Sequence, residues 1–340
     1  MRNRFVAAVL AALALATGIV APAAAQDKPL TDVTLNLDFV VLGRHAPWYV
    51  ALGKGYFKDA GLNVKIIPGQ GTAQALQALE SNVAQFAFSD VASAAIARAR
   101  GASTARFVTI NYQKAPYAVF SLNPGANAGT LDKLKGLEIA SSAGSFTPKV
   151  IQGFMKEKGV DPAGMRFTNV DGAARVGMLV SGKMPAIETF IFSEPGIRKG
   201  LQPGQSLVTL FLADQGLELY ANGLLVRDAY LKSNPEVVRA FVKAALQGWK
   251  DALANPEEAA KLQAQFVSGL SQEVVVEEIK LLRSLAVTPD VNANGLGSID
   301  PARMKRSVDF VVQYIGVDGT APAATDLYTV DFLPKPGIKP

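Results

Sequence analysis

Short apolar runs alternate with longer stretches of helical periodicity along most of the chain. In the first third, the pattern predicts strands at 33–39, 63–67 and 85–88, followed by helices at 47–60, 73–80 and from Ser89-Asp90 to Gly101. Strands that alternate with helices in this way are typical of parallel βαβ units. Three successive units therefore predict one doubly wound α/β lobe.

The same alternation returns between residues 137 and 195, which predicts a second lobe. Strands are predicted at 137–140, 165–169 and 186–192, and helices at 147–158, 172–181 and from Ser193-Glu194-Pro195. Two further strand-like passages, 117–122 and 219–226, lack a Gly-rich turn and are interpreted as two crossings between the lobes. Helices predicted at 235–255, 256–266, 272–285 and 301–315 would then pack on the first lobe, and the segment after Gly316 would be extended.

The first 25 residues have the features of a secretory signal peptide. Arg2 and Arg4 precede an apolar stretch from Phe5 to Val20, and a small-residue cleavage site ends at Ala25. A membrane span needs about 20 apolar residues, so this stretch is too short to be one. The sequence therefore predicts export to the periplasm. The expected organisation is a signal peptide at 1–25, lobe one at 26–120, lobe two at 121–222, the helical return to lobe one at 223–316, and an extended tail at 317–340.

Composition narrows the function further. The chain has no cysteine and a single histidine, which argues against disulfides, thiolate metal sites and most metal centres. Removing residues 1–25 takes away two arginines and no acid, so the formal charge falls from +5 to +3. That charge is too small, and too evenly spread, to indicate a nucleic-acid partner. We expect no cofactor and no metal.

The candidate site follows from the fold class. In open α/β sheets, ligands bind beyond the carboxyl ends of the strands, where helix N-termini point into a crevice. Two such lobes facing each other would form a clamp. The residues predicted to line it are Asp38, His45, Trp48, Tyr49, Gln70, Thr72, Ser89 and Asp90 from lobe one, and Gly144, Ser145, Phe146, Thr147, Glu188 and Glu194 from lobe two.

Several of these residues have a purely structural alternative. His45 could be a structural hydrogen-bonding group, and Trp48 or Tyr49 could belong to the core. Thr72, Ser89 and Thr147 are also explained as helix caps. An alternative of a different class is a secreted hydrolase that uses His45 with Glu188 or Glu194, although no nucleophile motif accompanies the histidine.

Three groups of motifs carry a family resemblance. They are Leu37-Asp38-Phe39, the run His45-Ala46-Pro47-Trp48-Tyr49-Val50-Ala51, and Gly53-Lys54-Gly55-Tyr56-Phe57-Lys58-Asp59-Ala60-Gly61-Leu62-Asn63-Val64; Gly69-Gln70-Gly71-Thr72, Ser145-Phe146-Thr147-Pro148 and Ser193-Glu194-Pro195 extend the match. The chain resembles the NMT1/THI5-like substrate-binding proteins of ABC importers. The resemblance implies a periplasmic-binding-protein type 2 fold, a small-molecule ligand, a permease partner in the inner membrane and a monomeric receptor without enzymatic activity.

The resemblance also implies a ligand class. The group contains pyrimidine binders, with sulfonate, taurine, nitrate and riboflavin binders as relatives. It further includes a eukaryotic enzyme branch with a cysteine-rich segment and a lysine shortly before the motif histidine, where this chain has no cysteine and Arg44. The crevice has four candidate acids and only Arg44 and Lys149 as close cations. Acids accept hydrogen bonds from ring amino groups and repel sulfonates. We therefore expect a pyrimidine-type thiamine precursor, with an aliphatic sulfonate, taurine or nitrate anion, or riboflavin, as the alternatives.

Overall fold

The computed structural model describes residues 29–143 and 145–340 and contains two five-stranded sheets. The predicted signal peptide and the candidate residue Gly144 lie outside the described residues. We call the part of the chain built on the first sheet lobe one, and the part built on the second sheet lobe two.

The first sheet has the strand order β2-β1-β3-β10-β4. Its strands are β1 (Thr31–Asn36), β2 (Leu62–Ile67), β3 (Phe86–Asp90), β4 (Ala105–Ile110) and β10 (Asn222–Arg227). Strand β1 pairs in parallel with β2 and β3, whereas β10 is antiparallel to β3 and β4. The three predicted βα units are therefore present, and the returning strand completes the sheet in the opposite direction.

The second sheet repeats this plan with the order β7-β6-β8-β5-β9. Its strands are β5 (Tyr117–Asn123), β6 (Glu138–Ser141), β7 (Arg166–Asn169), β8 (Ala186–Phe190) and β9 (Ser206–Phe211). Strand β5 runs antiparallel to β8 and β9. The segments 117–122 and 219–226 were interpreted as crossings, but most of their residues are strand residues of β5 and β10. The chain passes between the sheets at 111–116 and 212–221.

The helices follow the predicted pattern, with some additions and corrections. They are α1 (Ala46–Gly53), α2 (Tyr56–Asp59), α3 (Thr72–Glu80), α4 (Val91–Ala99), α5 (Thr147–Glu157), α6 (Gly172–Val180), α7 (Glu194–Gly200), α8 (Asp228–Ser233), α9 (Pro235–Ala254), α10 (Pro256–Ala264), α11 (Gln272–Ala286), α12 (Pro289–Asn294) and α13 (Pro301–Phe310), with 3-10 turns at Gly43–His45, Leu131–Leu134, Ile191–Ser193 and Ala324–Asp326 and a π-helical turn at Val311–Ile315. The predicted helix 47–60 is two helices, because Gly55 between them has a left-handed φ of 78°.

The predicted threonine caps are wrong. Thr72 and Thr147 are the first helical residues of α3 and α5, whose N-caps, Gly71 and Phe146, make no side-chain hydrogen bond. Asp90 caps α4, because its side chain accepts from the amide of Ser93, so the cap role belongs to Asp90 and not to Ser89. Helix capping therefore does not explain the side chains of Thr72, Thr147 and Ser89.

Helix α9 shows how the core of lobe one is assembled. Its buried residues include Val238, Phe241, Val242, Ala245 and Trp249, which recur at the three- and four-residue spacing of one helical face. Gly248 on the same helix approaches α1 so closely that a Cβ there would lie 2.6 Å from the Ala51 Cβ atom. Helix α1, which follows the first candidate loop, is thus fixed against the core.

The C-terminal segment after Gly316 has one 3-10 turn and otherwise little regular structure, and part of it packs along lobe one. The amide of Phe107 donates to the carbonyl of Leu327 at 2.7 Å, and the amide of Thr329 donates to the carbonyl of Phe107 at 2.9 Å. The side chain of Leu327 is fully buried. The tail therefore covers the edge strand β4, which would otherwise expose unpaired backbone groups.

Candidate functional site

A cavity lies between the carboxyl ends of the strands of both sheets. Lobe one contributes the loops after β1 and β2 and the end of β3, and lobe two contributes β5, the β6–α5 loop, α6 and the end of β8. The cavity is lined by Asp38, Phe39, Leu42, Arg44, Gln70, Gly71, Thr72, Asp90, Tyr117, Ser142, Ser145, Phe146, Thr147, Arg175, Glu188, Thr189, Phe190 and Ser193. Its position matches the crevice expected at the ends of α/β sheets.

Asp38 is the centre of a buried polar network at the floor of the cavity. Nη1 of Arg44 donates to both Asp38 carboxylate oxygens, at 3.1 and 2.9 Å, and Nδ2 of Asn222 donates to Oδ2 at 2.9 Å. Nε2 of His45 lies 2.9 Å from Oδ1. Burial alone would raise the pKa of Asp38, but Arg44 and His45 outweigh burial and hold the pKa below its ordinary value. A carboxylate has about four acceptor positions, so these contacts leave Asp38 little capacity for a ligand.

His45 is engaged through both ring nitrogens. The amide of Leu42 donates to Nδ1 at 3.0 Å, so Nε2 carries the proton and donates to Asp38. Burial and the neighbouring Arg44 charge lower the pKa of His45 to about 4, which keeps the ring neutral at physiological pH. His45 is fully buried and does not line the cavity. In this geometry it orients Asp38 and has no nitrogen free to act as a general base.

Arg44 extends from this network towards lobe two. Its Nη1 also donates to the hydroxyl of Tyr112 at 3.0 Å, and its guanidinium carbon lies 5.1 Å from the centre of the Phe190 ring. The amide of Arg44 donates to Oε2 of Glu278 on α11 at 3.1 Å. Burial raises the pKa of Glu278 to about 7. A Cβ at Gly43 would lie 2.7 Å from the Val275 Cα atom, so the loop can approach α11 only with glycine there.

Asp90 is the second acid that lobe one presents to the cavity. Its oxygens accept from the amide of Ser93 at 2.7 Å and from the Ser93 hydroxyl at 2.8 Å. Burial raises the pKa of Asp90. The Ser93 hydroxyl also lies 2.8 Å from the Thr72 hydroxyl, and the Ser89 hydroxyl donates to the Thr72 carbonyl at 3.1 Å. Thr72, at the cavity wall, thus connects the start of α3 to Ser93 of α4 and, behind the wall, to Ser89 at the end of β3.

In lobe two, a buried ion pair forms the opposite wall. Nη1 of Arg175 on α6 donates to the carbonyl of Glu188 at 2.5 Å and to its Oε1 at 3.1 Å, and the Ser141 hydroxyl donates to the same Oε1 at 2.7 Å. Burial raises the pKa of Glu188, against the opposing effects of Arg175 and Ser141. The acid predicted at this strand end is therefore paired with a cation.

Aromatic rings complete the cavity on both sides. Phe39 comes from lobe one, and Tyr117, Phe146 and Phe190 come from lobe two. The guanidinium carbon of Arg175 lies 5.9 Å from the centre of the Phe39 ring, so a contact spans the two lobes. Large apolar side chains with few polar groups are the usual lining of a small-molecule site.

The structure brings eight of the predicted site residues to the cavity: Asp38, Gln70, Thr72, Asp90, Ser145, Phe146, Thr147 and Glu188. His45 and Ser89 lie behind its wall, as described above. Glu194 pairs with Arg198 on α7 and does not line the cavity, and Lys149, expected as a close cation, does not line it either.

Trp48 and Tyr49 belong to the core side of α1. The ring centre of Trp48 lies 5.3 Å from that of Phe88 and 5.6 Å from that of Trp249, and the side chain is fully buried. Tyr49 packs against Phe266, with ring centres 6.0 Å apart. Neither Trp48 nor Tyr49 lines the cavity, so the structure places neither ring where a ligand could stack on it.

Sequence reasoning did not name nine of the lining residues as site members: Phe39, Leu42, Gly71, Tyr117, Ser142, Arg175, Thr189, Phe190 and Ser193. Arg44, which was expected only as a close cation of the crevice, lines the cavity as well. Phe39 and Thr189 are direct neighbours of predicted site residues, so extending each junction by one residue would have found them. Arg175 has no such signal, because it lies within a helix and reaches the cavity through the length of its side chain.

Three comparisons place the chain among known proteins. The family model described as NMT1/THI5 like matches residues 43–259. The riboflavin-binding protein RibY of Chloroflexus aurantiacus is 28% identical, over 92% of this chain and 89% of its own length. The formylaminopyrimidine-binding protein of Halalkalibacterium halodurans is 24% identical, over 78% of this chain and 81% of its own.

Among solved structures, the alkanesulfonate-binding protein SsuA from Xanthomonas axonopodis pv. citri superposes with a TM-score of 0.67, at 14% identity, over 88% of this chain and 99% of its own. At that identity the likeness shows the fold alone. The predicted two-lobed periplasmic-binding-protein fold is therefore confirmed. In the part of the chain that the structure describes, no helix is both long and apolar enough to cross a membrane.

Proposed function

The chain belongs to the NMT1/THI5-like family, and we propose that it is the solute-binding receptor of an ABC importer. The observation that carries this proposal is the cavity between the lobes, whose walls come from both sheets. A site divided between two lobes encloses its ligand when the lobes close around it. The names of the two relatives, a riboflavin-binding and a formylaminopyrimidine-binding protein, support a binding role.

The proposed ligand is a small, flat heteroaromatic compound of the pyrimidine or flavin type. Four aromatic rings from the two lobes line the cavity, and aromatic rings pack favourably against flat rings.

The charges at the cavity favour an uncharged ligand because its arginines are already paired with acids, whereas the sequence led us to expect a surplus of acids. The surplus of acids is smaller than expected, because Asp38 pairs with Arg44 and Glu188 with Arg175, and Asp90 is left as the lining acid without an ion pair among the described residues. Each arginine that lines the cavity is therefore already neutralised by a carboxylate. A sulfonate or nitrate anion would have to compete with these carboxylates for the same cations.

The hydrolase alternative finds little support in the geometry. Both nitrogens of His45 are engaged, and Glu194 pairs with Arg198 outside the cavity. A general base must reach the proton that it abstracts. We therefore propose binding without chemical conversion.

The receptor role implies a location and a partner. We propose that the predicted signal peptide directs the protein to the periplasm, where it acts as a monomer and delivers its ligand to a permease in the inner membrane. Closure of the lobes around the ligand would create the surface that the permease recognises.

Calorimetric titration with riboflavin, formylaminopyrimidine and taurine tests the proposal. We expect a saturable heat with at least one of the two heteroaromatic compounds, a higher melting temperature in its presence, and no heat with taurine. The bound compound should be recovered unchanged by mass spectrometry after long incubation. Tight binding of taurine alone would overturn the proposed ligand class, and chemical conversion of the bound compound would overturn the receptor role.

A further inference from the structure

The guanidinium of Arg175 has a second edge that the protein does not use. Only Nη1 takes part in the contacts with Glu188. Nε is buried, and no described residue accepts its proton. Arg175 as a whole is only 5% exposed, and it lines the cavity. A buried donor without a partner is costly, and because Arg175 lines the cavity, its Nε is available to a ligand or a water molecule there.

The geometry of arginine defines what that partner must be. In a planar guanidinium, Nε–H and one N–H of Nη2 point in the same direction as a rigid pair of donors. This pair matches two acceptor atoms, such as the two oxygens of a carboxylate or a ring carbonyl beside a ring nitrogen. A ligand group that binds to this wall of the cavity must therefore accept hydrogen bonds.

Ser142 supports the same conclusion independently. It follows the end of β6 and lines the same wall, and its buried hydroxyl has no hydrogen-bond partner among the described residues. Arg175 on α6 and Ser142 after β6 thus both line the lobe-two side of the cavity with an unpartnered group, and the serine hydroxyl can donate as well as accept.

The wall contributed by lobe one has the opposite polarity. Asp90 accepts from Ser93 on each oxygen, and the Thr72 side chain is a further partner of the carboxylate, which leaves about one acceptor position for a ligand. Asp38 is saturated by its neighbours. Lobe one can therefore accept a hydrogen bond from a ligand through Asp90, whereas lobe two offers donors.

We propose that Arg175 and Ser142 form a subsite that recognises a carbonyl-bearing edge of the ligand ring, while the opposite edge donates to Asp90. This inference rests on the proposed function and specifies the ligand class further. A flavin ring system carries carbonyl groups beside ring nitrogens, whereas a simple aminopyrimidine offers amino donors and no carbonyl. The subsite therefore favours oxo-substituted heteroaromatic rings over simple aminopyrimidines.

The carbonyl is preferred over an anion because of Glu188. Its Oε1 lies 3.1 Å from Nη1 of the same guanidinium, and the side chain is only 1% exposed. The positive charge of Arg175 is thus already balanced next to the subsite. A neutral acceptor can form the two hydrogen bonds without being repelled by that nearby carboxylate.

Calorimetry on matched variants tests the subsite. The probes are riboflavin, which has ring carbonyls, and 4-amino-5-hydroxymethyl-2-methylpyrimidine, which has none. Arg175→Lys keeps the positive charge beside Glu188 and removes the paired donors, so riboflavin affinity should fall roughly ten- to hundredfold while aminopyrimidine affinity stays unchanged. Ser142→Ala should weaken riboflavin alone by a smaller factor, without disturbing the ion pair. Arg198→Lys, on α7 of the same lobe and outside the cavity, is the control and should change neither.

The possible outcomes separate the subsite from the receptor role. Equal losses for both probes in Arg175→Lys, or an unchanged riboflavin affinity in both variants, would overturn the subsite while leaving the receptor role intact. Taurine binding that Arg175→Lys abolishes would show that the edge recognises anions, and would overturn the preference for a carbonyl. Binding of neither heteroaromatic probe to the unmodified protein would overturn the proposed ligand class, and the subsite with it.

Discussion

Gly172 provides a direct test of whether the two lobes must approach as closely as they do in the structure. It is the first residue of α6 in lobe two, and it lies against the ring of Phe39 of lobe one. A Cβ at this position would lie 2.4 Å from the Phe39 Cζ atom and 3.3 Å from both Cε atoms. Since carbon atoms in contact lie about 3.5–4.0 Å apart, Gly172→Ala would push the ring tip away by roughly 1 Å.

The cost of this displacement falls only on the closed arrangement. Overpacking a fitted contact costs about 1–3 kcal/mol, and we expect the lower half of that range because Phe39 can rotate about its side-chain bonds. Rotation would remove the ring from its place beside Arg175 and from the cavity wall. At about 1–2 kcal/mol, ligand affinity should fall roughly 5- to 30-fold. The unliganded lobe should keep or slightly gain stability, because Gly172 has no left-handed φ and alanine favours the helix.

Riboflavin titration and small-angle scattering on the unmodified protein and its variants measure the effect. Gly177→Ala is the matched control, since it lies on the same helix and a Cβ there meets nothing within 4 Å. Repeating Gly172→Ala in a Phe39→Leu background, which lacks the ring tip, should remove most of the penalty in a double-mutant cycle. An affinity and a scattering profile of Gly172→Ala that match those of Gly177→Ala would refute the reasoning, because closure would then not require the Phe39 contact.

Three further predictions concern stability. Trp48→Ala should lower the free energy of unfolding by about 3–5 kcal/mol in urea titrations, since the ring is buried against Phe88; a variant that keeps its stability and loses only ligand affinity would return Trp48 to the site. Leu327→Ala should lower the free energy of unfolding by about 2–5 kcal/mol. An unchanged midpoint of urea unfolding would show that the tail does not stabilise lobe one. Because the pKa of Glu278 is raised to about 7 in the folded state, from 4.5, its contribution to stability is present below pH 4.5 and is lost as pH rises through 7. The stability of the unmodified protein relative to Glu278→Gln should therefore fall by on the order of 3 kcal/mol over that window, whereas parallel pH curves would contradict this.

Much of the fold could be predicted from the sequence, because the hydrophobic pattern of a doubly wound lobe is strong. Strands such as β2 and helices such as α9 have clear periodicity and clear ends. The pattern failed for β4 and β9, which precede no βα turn, and for the short helices α8 and α12. It also assigned β5 and β10 to crossings, since strand direction and sheet membership depend on distant pairing and not on local sequence.

The sequence predicted which strand–helix junctions form the site, but not which of their side chains face the cavity. The fold rule identifies which loops meet, so Gln70, Asp90 and Glu188 were found from their positions at the ends of strands. It cannot say whether a side chain points into the cavity. Trp48 points to the core because α1 is held against α9, and Arg175 reaches the cavity from within a helix; both are consequences of packing between distant segments.

The network around Asp38 connects the cavity floor to both crossings between the lobes. Arg44 links Asp38 to Tyr112 in the outgoing crossing, and Asn222, at the end of the returning one, donates to Asp38 directly. The crossings are also bonded to each other, since the amide of Tyr112 donates to the carbonyl of Asn222 at 2.8 Å. The ligand-facing loop and the lobe-one ends of the hinge therefore form one rigid unit.

The remaining backbone hydrogen bonds show where the hinge can bend. In the outgoing crossing, the amide of Lys114 donates to the carbonyl of Leu285 on α11 of lobe one. The carbonyl of Pro116, two residues later, accepts from the amide of Ile191 of lobe two. In the returning crossing, the amide of Leu217 donates to Leu212, on the lobe-two side, and that of Tyr220 donates to Ser307 of lobe one. Bending should therefore concentrate at residues 115–116 and 218–219, which lie between the last contacts on each side. Because proline fixes its own φ, the first of these points is the stiffer, and lobe two should rotate mainly about the second as the cavity closes.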